Sequence, residues 1–329
     1  MKVVSYTCLF LILSISSCKD ANKKEYTLLS GNTMGTVYNI KYLDDQERTI
    51  QPSIDSLLKR FNQSVSTYIP TSEISLFNTS DGLPQASELF LNIFFTAQHI
   101  YQKTEGAFDP TVMPLVNAWG FGYTQPTHMP TEKAIDSIMT FVGMDKVSVT
   151  GKRIEKKNTK TQLDFSAIAK GFGVDLVAEF LEKKGIEHFM VEIGGEVVCK
   201  GNSPSASPWK IGIETPTANA RGIKQVVKLQ NVAMATSGNY RNFRLVDGQK
   251  YAHTIDPVGG LPVQHTLLSV SIVAKDCMTA DAYATACMVL GKEKSMVLVN
   301  SLKGVEAYFI FDQNGQMKTA FTEGFSNYL

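Results

Sequence analysis

The sequence predicts an α+β fold with mixed sheets and helices. Several segments carry apolar residues at helical spacing, whereas others alternate or run continuously apolar, as strands do. These segments follow one another without the regular strand-helix-strand rhythm of a doubly wound parallel sheet. Of all residues, 43% are hydrophobic and 19% are charged, which is normal for a globular protein. The roughly 305 residues after the apolar N-terminus are enough for one large core or two fused lobes.

The first half of the chain contains both helix and strand signals. Ser87 is a good N-cap for a helix that ends near Gly106. The next segment is rich in Gly, Pro and aromatic residues and is expected to form an ordered loop. The predicted order is a strand pair at 26–43, helices at 52–61 and 87–106, a loop at 106–123, a helix at 131–141 and a strand-turn-strand around Thr150 and Gly151.

The second half begins with a helix and continues mainly as strands. The helix starts near Ala169, has an apolar face and stops before Gly185. The elements predicted after it are strands at 189–193, 197–199, 210–214, 225–229 and 268–274, helices at 278–290 and 295–301, and a strand at 305–311.

The N-terminus is typical of a processing sequence. Its apolar run at 8–13 is too short to span a bilayer, so a cleaved signal is expected. The order Ile15-Ser16-Ser17-Cys18 resembles the bacterial lipobox, in which the Cys becomes the lipidated first residue. We expect a signal peptide at 1–17, lipidated Cys18 with a tether at 18–25, and one domain at 26–329, anchored to a membrane of the bacterial cell envelope. The alternative is a signal peptide with a chance Cys.

Charge and cysteine content argue against nucleic acid and zinc as partners. Lys and Arg number 32 against 31 Asp and Glu, and no basic stripe is present, so nucleic acid is not an implied partner. No CxxC or Cys/His cluster occurs, which disfavours zinc. Cys277 and Cys287 lie ten residues apart across the predicted helix, about 15 Å, which is too far for a disulfide.

An Ala-rich helical segment carries Asp281 and Thr285 four residues apart. At 3.6 residues per turn, both side chains project from one face of the helix. A carboxylate and a hydroxyl together suit a hard cation such as Mg²⁺. The alternative is an ordinary helix in which the Thr bonds its own backbone and the Asp is solvated.

The segment from Asp164 to Asp175 enters another helix through small residues. A ligand can approach the backbone there, and the free N–H groups and positive end of the helix dipole favour anions such as a diphosphate. Lys170 could add its charge, although a solvated first-turn lysine is the alternative. The spacing of a phosphate-binding P-loop is absent.

His253 precedes a turn at Pro257 with Gly259 and Gly260 behind it. A histidine can take a proton from a hydroxyl near neutral pH, because its ordinary pKa is about 6.5. The alternative is a histidine that is bonded to a turn carbonyl.

Together, the ordered motifs resemble the ApbE family of FAD:protein FMN transferases over essentially the whole domain. Besides the three segments above, the resemblance is carried by Thr33-Met34-Gly35-Thr36, Ser66-Thr67-Tyr68, Ser72-Glu73-Ile74-Ser75, Gly106-Ala107-Phe108-Asp109-Pro110-Thr111-Val112, Leu115-Val116-Asn117-Ala118-Trp119-Gly120-Phe121-Gly122, Glu192-Ile193-Gly194-Gly195-Glu196 and Ala235-Thr236-Ser237-Gly238-Asn239-Tyr240-Arg241.

The resemblance implies a single compact, T-fold-related domain that transfers FMN from FAD to a threonine hydroxyl of a target flavoprotein and releases AMP. It implies Mg²⁺ held by the Ala167 carbonyl, the Asp281 carboxylate and the Thr285 hydroxyl, with His253 as the catalytic base. It implies a periplasmic location and acceptors such as subunits of Na⁺-pumping quinone reductase or Rnf complexes. The residues expected to contact FAD are Met34, Tyr68, Ala107, Phe108, Asp109, Asp164, Lys170 and Ile255.

Two other functions are compatible with the same residues. An FAD diphosphatase would use the same cation and pocket, with water in place of the threonine hydroxyl, and would yield FMN and AMP. A flavin-binding lipoprotein without catalysis would need neither the cation ligands nor the base.

Overall fold

The computed structural model describes residues 25–122, 126, 128–217, 222–239, 243–246 and 249–329. Residues 1–24, with Cys18 and the proposed signal peptide, lie outside this range, as do Tyr240 and Arg241 of the quoted motifs. The described α-helices are α1 (Gln51–Val65), α2 (Glu73–Thr79), α3 (Glu88–Lys103), α4 (Met113–Ala118), α5 (Glu132–Met139), α6 (Ala169–Lys183) and α7 (Cys277–Ser301).

The described strands include both long central strands and short hairpins. They are β1 (Thr27–Thr33), β2 (Thr36–Tyr42), β3 (Gly82–Leu83), β4 (Val147–Thr150), β5 (Arg153–Lys156), β6 (Phe189–Ile193), β7 (Glu196–Lys200), β8 (Trp209–Glu214), β9 (Ile223–Leu229), β10 (Val232–Gly238), β11 (Phe243–Val246), β12 (Gln249–Ala252), β13 (Leu267–Ala274), β14 (Glu306–Gln313) and β15 (Gln316–Phe321).

The main sheet has eight strands in the order β1-β2-β6-β7-β10-β13-β14-β15, and all of its neighbouring pairs are antiparallel. The helices α6 and α7 pack on this sheet, with α7 against β10 and β13 and α6 against β6 and β7. The β8–β9 hairpin belongs to a separate apolar cluster with Trp209 and Phe325. Residues of β13 belong both to the apolar cluster under the helices and to the cluster with the β8–β9 hairpin. Seven of its eight residues are therefore buried, among them Ser269 and Ser271.

The largest apolar cluster lies between the sheet and the helices α1, α3, α6 and α7. Phe61 of α1 meets Phe172 of α6 edge to face, with ring centroids 5.2 Å apart. Phe90 of α3 meets Phe165 in the same manner at 5.3 Å. These contacts fix the start of α6, the segment that the sequence singled out, against two other helices.

The α+β prediction is confirmed, and each predicted helix and strand has a counterpart within a few residues. Ser87 caps α3 as expected, accepting a hydrogen bond from the backbone N–H of Phe90 at 3.1 Å. The segment 106–123 was expected to be a loop, but it also contains the short helix α4. Elements absent from the prediction are α2, β3, β10, β11, β12 and β15.

The two predicted C-terminal helices are the two halves of α7, which bends at Gly291. This residue has φ 75° and ψ 172°, a conformation that side chains rarely adopt. The ring of His265 lies against the bend, with its Nε2 2.7 Å from the Met288 carbonyl oxygen. Cys199, Cys277 and Cys287 are buried free thiols. In the part of the chain that the structure describes, no helix is long and apolar enough to cross a membrane.

Candidate functional site

A cavity of about 920 Å³ opens where α6, α7, β10 and the loops around α4 and after β12 meet. Its volume is at the upper end of the range typical of small-molecule sites. The predicted site residues that line it are Tyr68, Ala107, Phe108, Asp109, Asp164, Ala167, Lys170, His253, Ile255, Asp281 and Thr285. Met34 is not among its lining residues; its side chain packs between two apolar clusters and against Gly173.

The two helices that carry the predicted cation site cap each other. The position before α6 is Ile168, which has no capping side chain. The Asp281 carboxylate of α7 supplies the cap instead, because its Oδ2 accepts a hydrogen bond from the Gly171 N–H at 3.0 Å. The start of α6 is expected to attract an anion, and the Asp281 carboxylate already binds there.

Asp175 of α6 makes the reciprocal contact with α7. Its two carboxylate oxygens accept hydrogen bonds from the backbone N–H groups of Cys277 and Met278, each at 2.8 Å. Asp276, the N-cap of α7, accepts a third from the Thr279 N–H at 2.8 Å. Three of the four orphan donors of this helix end are thereby satisfied, which fixes the direction of α7 and of its cation-site residues.

Gly171 allows these two helices to approach closely. A Cβ atom at this position would lie 2.3 Å from the Cys277 carbonyl oxygen and 2.9 Å from the Asp281 Cβ. Real Cβ atoms essentially never lie within 3.0 Å of such neighbours. Only a glycine fits here. Because it has no side chain, the start of α6 can lie directly against Asp281.

Lys170 lies between two buried carboxylates. Its Nζ is 2.8 Å from Glu196 Oε1 and 3.7 Å from Asp281 Oδ1. Burial by itself would lower the pKa of Lys170, but the negative charges of Asp281 and Glu196 outweigh it and raise that pKa. Lys170 is therefore a cation at neutral pH, held at the cavity by its carboxylate partners although 31% of its side chain is exposed.

Glu196 belongs to a sequence motif that predicts no role for it, and the structure places it at the cavity. It is the first residue of β7, after the Gly194–Gly195 turn, and only 3% of it is exposed. Burial raises the pKa of its carboxyl group. Its Oε2 is buried and has no hydrogen-bond partner within the described chain. No local signal could have found it, because an acidic residue at the start of a strand is usually solvated.

Asp281 and Thr285 line the cavity together, as their spacing predicts, and Ala167 lines it from the segment before α6. Thr285 Oγ1 lies 3.4 Å from the hydroxyl oxygen of Ser237 on β10. A buried carboxylate, a hydroxyl and a backbone carbonyl are the oxygen ligands that Mg²⁺ prefers. Glu196 Oε2 is a further oxygen at the cavity that has no hydrogen-bond partner within the described chain. The residues present therefore fit a divalent cation.

Asp109 and Asp164 also line the cavity. They lie in the loops that precede α4 and α6, respectively. Asp109 Oδ1 accepts hydrogen bonds from the N–H and hydroxyl groups of Thr111, both at 2.7 Å, and burial raises the pKa of Asp109 to about 6. Asp164 Oδ1 accepts from the N–H and hydroxyl of Ser166 at 2.8 and 2.5 Å, and burial raises its pKa. Both carboxyls are anchored by the chain two residues further on.

His253 follows β12 on a loop that is tied down by aromatic contacts. Its ring meets Phe121 edge to face, with centroids 6.5 Å apart. The Trp119 ring stacks on Tyr251 at 5.9 Å and donates a hydrogen bond from Nε1 to the Gly260 carbonyl at 2.9 Å. The loop that was expected to be functional is thereby fixed to the segment around α4, with its histidine at the cavity.

Comparisons with known proteins agree with this geometry. The model of the ApbE family matches residues 34–309. The chain is 40% identical over 297 residues to a FAD:protein FMN transferase of Vibrio cholerae, covering 88% of each chain. It is 33% identical over 315 residues to the one from Escherichia coli K12, covering 93% of this chain and 90% of that one.

Solved structures give the same result. The flavin transferase ApbE from Vibrio cholerae superposes with a TM-score of 0.84 at 38% identity, covering 93% of this chain and 99% of that one. The apo form of the Pseudomonas stutzeri flavinyl transferase ApbE superposes with a TM-score of 0.84 at 32% identity, covering 92% of this chain and 96% of that one.

Proposed function

This chain belongs to the ApbE family, and we propose that it transfers FMN from FAD to a threonine hydroxyl of an acceptor flavoprotein, releases AMP and depends on Mg²⁺. FAD:protein FMN transfer is the activity of relatives up to 40% identical over most of the chain. The observation that carries the finer proposal is the meeting of a base, a held cation and three oxygen ligands in one cavity. His253, Lys170, Ala167, Asp281 and Thr285 all line it.

The reaction needs one bond to form and one to break at the FMN phosphorus. The threonine oxygen attacks that phosphorus, and the bond to the bridging diphosphate oxygen breaks, so that AMP leaves. His253 accepts the proton of the attacking hydroxyl. Lys170 presents positive charge toward the diphosphate from the start of α6. Mg²⁺, when bound by Ala167, Asp281 and Thr285, would screen the diphosphate and stabilise the leaving phosphate.

The remaining residues of the site act by positioning. Phe121 and the Trp119–Gly260 contact hold the loop that carries His253. The hydrogen bond from Gly171 orients the Asp281 carboxylate. Phosphoryl transfer depends largely on such positioning and on electrostatic stabilisation, so these contacts support the proposal.

Incubation of the protein with FAD, Mg²⁺ and an acceptor that carries a target threonine tests the function. We expect a covalently fluorescent acceptor whose mass rises by that of FMN less water, with equimolar AMP. His253→Ala should lower the rate about 100-fold or more, and Asp281→Ala should abolish it. His99→Ala, on the exposed face of α3, is the matched control. Free FMN and AMP without labelled acceptor would establish a diphosphatase instead, and FAD bound but never cleaved would establish a binding protein.

We also propose that the chain is lipid-anchored through Cys18 in the bacterial cell envelope, facing the periplasm, where membrane-linked electron-transfer subunits would be its acceptors. The support is the lipobox-like order of residues 15–18. Mass spectrometry of the mature N-terminus should find an acylated Cys18. A Cys18→Ala chain should leave the membrane fraction; retention there without acylation would refute the anchor.

A further inference from the structure

We propose that Glu196 is a positioning residue that holds the Lys170 ammonium away from Asp281 and thereby keeps the Asp281 carboxylate available to a divalent cation. This inference rests on the cation site of the proposed function. Within the described ranges, Lys170 is the positively charged side chain nearest to Asp281, and its Nζ lies 3.7 Å from Asp281 Oδ1. The 2.8 Å contact between Lys170 and Glu196 keeps the Lys170 ammonium from moving into direct contact with the Asp281 carboxylate.

The charges explain why such a device is needed. Asp281 Oδ2 accepts a hydrogen bond from the Gly171 N–H, so Oδ1 is the oxygen less engaged by the backbone. That oxygen is also the one nearest to Lys170. An ammonium in direct contact with it would neutralise the carboxylate and occupy the cation position. The contact of Lys170 with Glu196 Oε1 gives that ammonium a partner other than Asp281, so Asp281 Oδ1 stays free to face a cation.

Glu196 differs from a purely structural partner of Lys170. Buried structural carboxylates usually have both oxygens satisfied, because an unpaired buried oxygen is costly. The Oε2 of Glu196 is buried within the described chain without a partner, although the residue lines the cavity. Of its two oxygens, Oε1 holds Lys170 and Oε2 has no hydrogen-bond partner in the described chain, as expected of a residue that serves a binding site.

Mn²⁺ binding to the purified protein without FAD, followed by electron paramagnetic resonance, tests this role. In Glu196→Gln, Lys170 should move onto Asp281 and the Mn²⁺ dissociation constant should rise on the order of tenfold or more. In the double variant Glu196→Gln, Lys170→Met, the competing ammonium is gone, and the constant should return to within about threefold of the parent value. Glu192→Gln removes a charge from the same hairpin at an exposed hydrogen bond and should leave the constant unchanged.

The outcomes separate this inference from the proposed function. If the parent protein binds Mn²⁺ and Asp281→Asn abolishes binding, the cation site stands. An unchanged constant in Glu196→Gln would then overturn only the role of Glu196. So would a double variant that binds as weakly as the single one, because the loss would not act through Lys170. If the parent protein binds no Mn²⁺, the cation site and this inference fail together, whereas covalent FMN transfer is measured separately.

Discussion

Replacement of Gly171 by alanine tests whether the contact between α6 and α7 builds the site. Inside a helix, Gly→Ala ordinarily stabilises a protein by up to about 1 kcal/mol, because alanine has the higher helix propensity. Here the new Cβ would lie 2.3 Å from the Cys277 carbonyl oxygen, and ordinary contact begins at 3.4 Å. The obstacle is backbone, so the helices must separate by about 1 Å at this point.

The magnitude follows from three contributions. Overpacking in a core costs about 1–3 kcal/mol. Loss of the hydrogen bond between the Gly171 N–H and the Asp281 carboxylate costs about 1.5–3 kcal/mol, because one partner is charged. The gain in helix propensity offsets about 1 kcal/mol. Together these contributions lower the free energy of unfolding by about 1.5–5 kcal/mol. We expect FMN transfer to slow by roughly 100-fold in molecules that remain folded, because the cation ligand is displaced by about 1 Å.

Urea denaturation and the transfer assay measure these two effects. Gly173→Ala is the matched control on the same helix, because its Cβ would be crowded by the movable Cε of Met34 at 2.4 Å, while Ile193 Cδ1 at 3.5 Å is an ordinary contact. That variant should change the free energy of unfolding by less than about 1 kcal/mol. If Gly171→Ala is as stable as the parent and transfers FMN at the same rate, the close approach of α6 and α7 has no role in the site.

Three further substitutions test individual carboxylates. Burial raises the pKa of Asp175 to about 7; at pH 8, Asp175→Asn should lower the free energy of unfolding by about 1–3 kcal/mol, because one N–H of α7 loses its acceptor. The pKa of Asp109, raised by burial to about 6 against about 3.9 in the unfolded chain, means that the folded state binds its proton more tightly. Stability should therefore fall as pH rises through this window, and Asp109→Asn should flatten the slope. Glu73 accepts hydrogen bonds from the Ser87 N–H and hydroxyl and from the Ser64 hydroxyl at 2.5–2.6 Å, so Glu73→Gln should cost about 1–3 kcal/mol in urea denaturation.

Exposed acidic residues on the same helices provide the controls. Glu179→Gln on α6 and Glu88→Gln on α3 remove only solvent-exposed ion pairs and should each cost less than about 1 kcal/mol. A comparable loss in Glu179→Gln would assign the effect at Asp175 to net charge rather than to capping. If the free energy of unfolding of Asp109→Asn still falls as steeply with rising pH, another titrating group causes the slope. Equal losses of unfolding free energy in Glu88→Gln and Glu73→Gln would contradict a stabilising role for the hydrogen bonds by which Glu73 of α2 joins α1 to the start of α3.

Local patterns were sufficient for most helices and strands but not for β10. Its sequence, Val232 to Gly238, contains two Ala, a Ser and a Gly, residues that favour strands weakly. It is a strand because β7 and β13 pair with it on both sides and α7 packs on it. The small residues allow that helix to lie close to the sheet. The short helix α4 was missed for a related reason, since its flanking glycines and prolines are typical of loops.

The sequence by itself determined the local geometry of the site. Periodicity placed Asp281 and Thr285 on one helix face, and the motif order indicated the family. Only the tertiary structure decided which charges meet, because Gly171 and Asp281 are 110 residues apart and Glu196 reaches Lys170 from another element. Helical spacing depends on neighbouring residues, whereas a buried charge cluster depends on how closely α6, α7 and β7 pack. That packing depends on the absence of a side chain at Gly171 and on the hydrogen bonds by which α6 and α7 cap each other. Neither feature produces a periodic pattern in the sequence.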